Sequence, residues 1–151
     1  MGISALEYGP HSATLTVHTK RAGAAARAGH DLTLLVERWH ATVDGERVDL
    51  EADPSSLRVL EGTGGAVPLG QREKATIERT IDEQILKGAP IAYRGGALTL
   101  NGVTRPLAYS VEGAEGRARV RQTDFRLKPY SALFGTLKVA DVVEVRLRLH
   151  E

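Results

Sequence analysis

Apolar and polar residues alternate with a period of two along most of this chain, and turn residues punctuate the rhythm, which predicts β-strands. Ala13, Leu15 and Val17 alternate with Thr14, Thr16 and His18, the pattern of a strand with one buried face. From Asp31 to Val43 a longer strand runs in two phases. Leu32, Leu34 and Val36 share one parity, then Trp39, Ala41 and Val43 share the other. The change near Glu37 and Arg38 predicts a bulge or a sharp bend, as a strand makes at a barrel corner. Asp44-Gly45 marks a hairpin turn, Val48, Leu50 and Ala52 a return strand, and Asp53-Pro54-Ser55-Ser56 the next turn. Leu57 and Val59 open a strand that runs into the loop Gly62-Thr63-Gly64-Gly65. Downstream, Leu98 and Leu100 lead through Asn101-Gly102 to Leu107, Tyr109 and Val111, a hairpin with a tight turn. Ala118 and Val120 face one way and Arg117, Arg119 and Arg121 the other. The last strand places Val143, Val145, Leu147 and Leu149 inward, and Glu144, Arg146 and Arg148 outward.

One segment has helical period. Within Gln71 to Lys87, Ile77, Ile81 and Ile85 recur every four residues with Leu86 beside them. Lys74/Glu78 and Glu83/Lys87 have the spacing of ion pairs on the wet side, and Gly88 and Pro90 supply the stop. The Ala-rich stretch from Lys20 to Ala28, ended by Gly29, predicts a second, short helix. The pattern as a whole predicts an all-β domain of about seven or eight antiparallel strands with a mid-chain helix. Such a set of strands makes a barrel or a strongly curled sheet, and about eight strands is the size that holds one small ligand.

At 151 residues, the chain has the length of a single domain spanning 1–151. Hydrophobic residues make up 42%, enough for a buried core, but aromatics are only 5%, so that core rests on Val, Leu, Ile and Ala. Twenty Lys+Arg against 19 Asp+Glu argue against a nucleic-acid binder held by bulk charge. Cysteine is absent, which excludes disulfides, thiolate zinc sites and cysteine nucleophiles. No apolar run approaches the roughly 18 residues of a membrane span. The opening Met1–Tyr8 stretch lacks the basic and apolar regions of a secretory signal, and Leu6 stands where a myristoylation signal wants Ser or Thr. A cytoplasmic location is the expectation.

Sequence motifs for catalysis are scarce. The glycine loop at 62–65 lacks the Gly-Lys-Ser/Thr of a phosphate-binding loop, and Val67 stands where a dinucleotide fingerprint needs its third glycine. None of His11, His18, His30, His40 and His150 pairs at metal-ligand spacing, so neither a metal nor another cofactor is expected. His30-Asp31 are neighbours on a strand and point to opposite faces, which places them badly for acid–base work. No Gly-x-Ser-x-Gly elbow surrounds a serine. The arginines at 117, 119, 121, 146 and 148 would merge into a positive stripe if their strands are neighbours, yet Glu144 sits within it and no aromatic interleaves it. A solvated exterior is the expected reading.

Several segments resemble a known family. Arg27-Ala-Gly-His30-Asp31-Leu32-Thr33 opens the long strand that carries Trp39. Leu98-Thr99-Leu100-Asn101-Gly102-Val103-Thr104-Arg105-Pro106 is similar to a hairpin signature read as L-T-[LI]-x-G-V-T-[KR]-P. Gln122-Thr123-Asp124-Phe125, with Lys128 to Gly135 after it, resembles a D-F-G-I region and its extension, and Lys138 to Val145 resembles the closing strand. These motifs resemble the YceI-like family, in a cytoplasmic branch of actinobacterial type, over roughly residues 13–150. The resemblance implies a lipocalin-like antiparallel barrel whose long apolar cavity binds a polyisoprenoid or other lipid chain, without catalytic residues. Arg126 stands where the family has glycine, which would reshape that region locally. Only Gly95 and Gly96 separate Tyr93-Arg94 from Ala97-Leu98, where the family spends many more residues, so the barrel is expected to be shortened or partly open there.

The expected cavity lining is Leu34, Val36, Val59, Leu98, Leu100, Tyr109, Val120, Phe125, Val145 and Leu147, with Trp39 and Tyr109 able to orient a ligand head through their polar tips. Phe125 is placed by its motif and the others by strand parity. The competing expectation is an interaction module whose core is filled by its own side chains. A shortened barrel exposes unpaired strand edges, which predicts a homodimer through the strands that flank Gly95 and Gly96.

Overall fold

The computed structural model describes residues 5–22, 30–64, 69–132 and 137–150. The first half of the chain forms β1 (Leu6–Tyr8), β2 (Ala13–Thr19), β3 (Arg21–Ala22), β4 (Asp31–Val36), β5 (Trp39–Asp44), β6 (Arg47–Ala52) and β7 (Leu57–Thr63). A helix, α1 (Gln71–Thr80), continues as a π-helical segment, Ile81–Leu86. Then follow β8 (Ile91–Arg94), β9 (Ala97–Leu100), β10 (Val103–Pro106), β11 (Ser110–Glu112) and β12 (Glu115–Arg121). After a 3-10 turn, Gln122–Phe125, come β13 (Ser131–Ala132), β14 (Leu137–Val139) and β15 (Val142–Leu149).

Two antiparallel six-stranded sheets face each other, in the orders β1-β5-β6-β8-β9-β10 and β11-β12-β15-β2-β4-β7. The expected change of phase at Glu37 and Arg38 is where the chain leaves one sheet for the other. Its partner strand turns over at the same level, between β6 and β7. The two corners are tied together: Glu37 N–H donates to the Ser56 carbonyl at 3.0 Å and Asp53 N–H to the Arg38 carbonyl at 2.9 Å. Ser56, with no exposed surface, accepts the Arg38 N–H on Oγ at 3.1 Å and donates to the Asp53 carbonyl at 2.8 Å. Asp53 in turn accepts from Ser55 N–H and Oγ and from Arg38 Nε. The strand returning from the Asn101-Gly102 turn also changes sheet: β10 lies in the first and β11 in the second, with Leu107–Tyr109 between them. The strands thus bend from sheet to sheet while each ladder keeps free edges, which makes a shortened, partly open barrel.

Those edges are covered in two places. β7 is the outer strand of its sheet, and its register with β4 slips by one residue after Thr33, leaving Leu60 without an opposite residue and exposed. α1 lies along it. Glu78 Oε2 accepts the Val59 N–H at 2.8 Å, and Lys74 Nζ donates to the Leu60 carbonyl at 3.4 Å. The expected Lys74/Glu78 ion pair is therefore replaced by two bonds to a strand edge, which is where unmet backbone polar groups need partners. β10 is flanked by the 3-10 turn, with Arg105 Nε donating to the Asp124 carbonyl at 2.7 Å and Asn101 Nδ2 to that of Phe125 at 3.0 Å.

Other expectations shift. Arg21–Ala22 of the expected short helix form a strand paired with β14, because the chain continues extended out of β2; residues 23–29 lie outside those described. Gly62 and Thr63 belong to β7 rather than a loop, and Gly65 and Val67 lie outside the described residues. The mid-chain helix spans 71–86 and widens after Thr80. Lys87 N–H bonds to the Asp82 carbonyl, five residues back, so that Ile81, Ile85 and Leu86 can share one inward face. Both residues of the Gly95-Gly96 turn have positive φ, 55° and 99°, the twist a two-residue hairpin requires. β8 and β9 on either side of it are each paired on both flanks, so no strand edge is free there.

Arg126 has φ 57°, in the left-handed region. A glycine occupies that region without the side-chain cost of roughly 1–2 kcal/mol. Arg126→Gly should therefore raise stability by about 1 kcal/mol in urea unfolding. Ser56→Ala leaves the Arg38 N–H without its acceptor in a buried corner and should cost roughly 1–3 kcal/mol in the same measurement. Hydrogen bonds from Ser55, then Arg38, hold the Asp53 carboxyl down at about 2 against an ordinary 3.8. A carboxylate depressed in the folded state stabilises it above the ordinary value and ceases to as pH falls through the folded one. Stability should thus decline between about pH 4 and pH 2, and Asp53→Asn should flatten that part of the acid unfolding profile.

Candidate functional site

Inward positions of both sheets and the inner face of the helix border a half-open cavity of about 1010 Å³. Its wall is apolar for a simple reason. Most strands that border it offer alternate residues, and those residues are largely Val, Leu and Ile. Of the residues expected from the sequence, Leu34, Val36, Leu98, Leu100, Tyr109, Val120, Val145 and Leu147 lie on this wall. Trp39, Val59 and Phe125 are buried in the packed core and do not reach the cavity. Trp39 sits immediately past the corner, opposite Ala52. Val59 lies opposite Leu34 on the outer strand beneath α1. Phe125 belongs to the 3-10 turn that flanks β10.

The rest of the wall was legible by the same rule. Leu15 and Val17 on β2, and Val143 and Leu149 on β15, have the parity that selected Val145 and Leu147. Ile77, Ile81 and Ile85 bring the helical stripe to the cavity, making the helix one of its walls. Tyr8 and Tyr93 carried no signal beyond their place in short strands.

Several polar groups on the wall are bonded within the protein. The Tyr93 hydroxyl donates to the Leu107 carbonyl at 2.8 Å, and its ring meets Tyr109 edge-on, centroids 6.2 Å apart. Burial, then the neighbouring Tyr109, pushes the Tyr93 phenol above its usual value. Thr19 Oγ1 accepts the Leu32 N–H at 3.3 Å, and Gln122 Nε2 donates to the Ala140 carbonyl at 3.1 Å. Arg117 and Glu115 pair at 2.7 Å. Among the described residues no buried side-chain nitrogen or oxygen is left without a partner. A wall of this kind favours an apolar guest, which asks for no hydrogen bonds.

Elsewhere the candidate chemistry resolves into structure. Asp31 accepts the Arg21 N–H at 2.8 Å and lies 3.6 Å from Lys20 Nζ, while His30 borders the cavity. Among the described residues, no three His, Asp or Glu side chains gather as metal ligands, and no helix is long and apolar enough to cross a membrane. β12 and β15 are neighbours, with Arg117 opposite Arg146 and Arg119 opposite Glu144, so the arginine stripe does form. Carboxylates are threaded through it. Glu144 bonds to Arg146 and lies 3.9 Å from Arg117, and Asp141 lies 3.7 Å from Arg121. The Arg146 bond, followed by Coulombic attraction to the same residue, holds the Glu144 carboxyl below its usual value. Burial, then Arg146, pushes His18 on the adjacent strand down. The face is a mesh of partly exposed ion pairs rather than an open anion site.

No protein-family model matches the sequence, and no curated protein matches it. Among solved structures, the chain is similar to the crystal structure of BcnA from Burkholderia cenocepacia, with a TM-score of 0.54. The match covers 91% of this chain and 94% of that one at 14% identity, and what the two share is the fold.

Proposed function

We propose that this protein is a non-enzymatic carrier that encloses one apolar chain, a polyisoprenoid or similar lipid, between its two sheets. The observation that carries the reading is the cavity itself: about 1010 Å³ of space with a mostly apolar wall, several of whose polar groups, Tyr93, Thr19 and Gln122 among them, are already bonded within the protein. Protein cores pack to the density of organic crystals, so a space of this size argues against the alternative of a core filled by its own side chains. The YceI-like motifs of the hairpin at 98–106 and the fold shared with BcnA point the same way. At roughly 30 Å³ for each water-sized group, the space takes on the order of 30 non-hydrogen atoms. One chain of that length fits; a much longer polyprenol would have to extend outside.

Native mass spectrometry of the purified protein, followed by organic extraction, tests the reading directly. A bound apolar species lost on extraction is expected. Leu100→Arg sets a guanidinium into the wall and should lower affinity for a fluorescent isoprenoid by at least about tenfold. A variant that keeps its circular dichroism spectrum and binds undiminished would overturn the assignment of the cavity as the site.

A further inference from the structure

Two hairpin turns, where β5 meets β6 and β8 meets β9, come together at one end of the barrel beside Tyr109, on the segment that leads into β11. Gly95 N–H donates to the Val48 carbonyl at 3.2 Å and Leu107 N–H to the Gly96 carbonyl at 2.8 Å, which ties the two turns to each other and to the segment between β10 and β11. Large apolar side chains stand in water at this end. Leu6 is 59% exposed, Tyr109 44% and Val111 65%. Each continues the cavity wall outward. Leu6 has the strand parity of Tyr8 and lies opposite Val43, both on the wall, while Tyr109 and Val111 are themselves wall residues. The wall therefore does not stop at the mouth but spills over it as an apolar rim.

We infer that this rim docks on the surface of a neutral lipid bilayer, so that the bound chain passes between membrane and cavity without crossing water. The inference rests on the carrier reading above. An apolar chain that fills the cavity is costly to expose to water, and a mouth whose own lip is apolar can meet a bilayer and remove that exposure. A tyrosine ring with its hydroxyl suits the interface between headgroups and acyl chains. The charges around the rim say which bilayer. Three of its guanidiniums are engaged within the protein, Arg47 with Asp49 at 3.0 Å, Arg94 with Glu51 and Arg117 with Glu115, while Arg148, opposite Glu115, forms no ion pair among the described residues. Asp44, Glu46 and Glu112 form no ion pair among the described residues. An apolar rim with a net negative border fits a zwitterionic surface and is repelled by an anionic one.

Co-sedimentation with extruded vesicles tests this. The protein should sediment with phosphatidylcholine vesicles, and markedly less with vesicles of equal parts phosphatidylcholine and phosphatidylglycerol at low salt. Leu6→Asp and Val111→Asp should each lower the vesicle-bound fraction by about fivefold or more. Glu46→Lys combined with Glu112→Lys should restore binding to the anionic vesicles. Leu6→Asp, outside the cavity wall, should still bind a fluorescent isoprenoid delivered from cyclodextrin, which separates docking from ligand binding. Vesicle binding without isoprenoid binding would retain the dock and remove the carrier reading. Wild-type protein left in the supernatant, or aspartate variants that sediment as well as wild type, would overturn the dock. So would a wild-type dimer that the aspartates dissociate, which would make the rim a contact between copies.

Discussion

Everything in this structure depends on two strands bending together. A long antiparallel pair leaves one sheet and enters the other at Glu37–Arg38 and Asp53–Ser56, and its ladder must be carried around the bend without losing backbone partners. Ser56 makes this possible because it is small enough to be wholly enclosed and offers a donor and an acceptor where the ladder is interrupted. Without a joint at that level the pair would remain flat and the inward residues of the two sheets would have nothing to face. The cavity is the space that the bend leaves between them.

The second constraint is the edge. Two open sheets present strand edges that invite pairing with other chains, and this protein handles them unequally. β7 is closed by two side chains of a helix, and β10 by a 3-10 turn. Among the described residues no strand pairs the outer edges of β1 and β11, and both are very short, which limits what they can template. The tight Gly95-Gly96 turn, which suggested a missing strand, leaves its flanking strands fully paired and instead lowers one side of the barrel.

Much of this was legible in the sequence because alternation is a direct image of one-sided burial. The parity of Leu32 to Val36, and its reversal at Trp39, located a corner that proved to be the joint between sheets. Asn101-Gly102 announced a turn in which both residues need positive φ. Parity alone does not distinguish a residue that borders empty space from one that packs on a neighbour, so Val59 and Trp39 read like Leu34 and Val36. Composition misled at Arg21 and Ala22, where alanine favours helix but pairing with β14 draws both residues into a strand. Charge spacing misled at Lys74 and Glu78, since an i,i+4 pair also suits two groups reaching for the same backbone. The YceI-like resemblance marked Arg126 as a glycine position, and its left-handed backbone gives that mark a physical cause.

One wall of the cavity is unlike the others. Strands joined in a ladder can slide only in steps of whole residues, because any smaller shift breaks hydrogen bonds and a shift of one residue turns every side chain to the wrong face. The helix wall is not bound by that arithmetic. It rests on isoleucine packing and two side-chain bonds to β7, both of which tolerate small, graded displacements. The barrel thus has a fixed girth set in integers and one adjustable side set by packing. Related sequences can alter the capacity of the chamber through the residues of a single helix while every strand keeps its register.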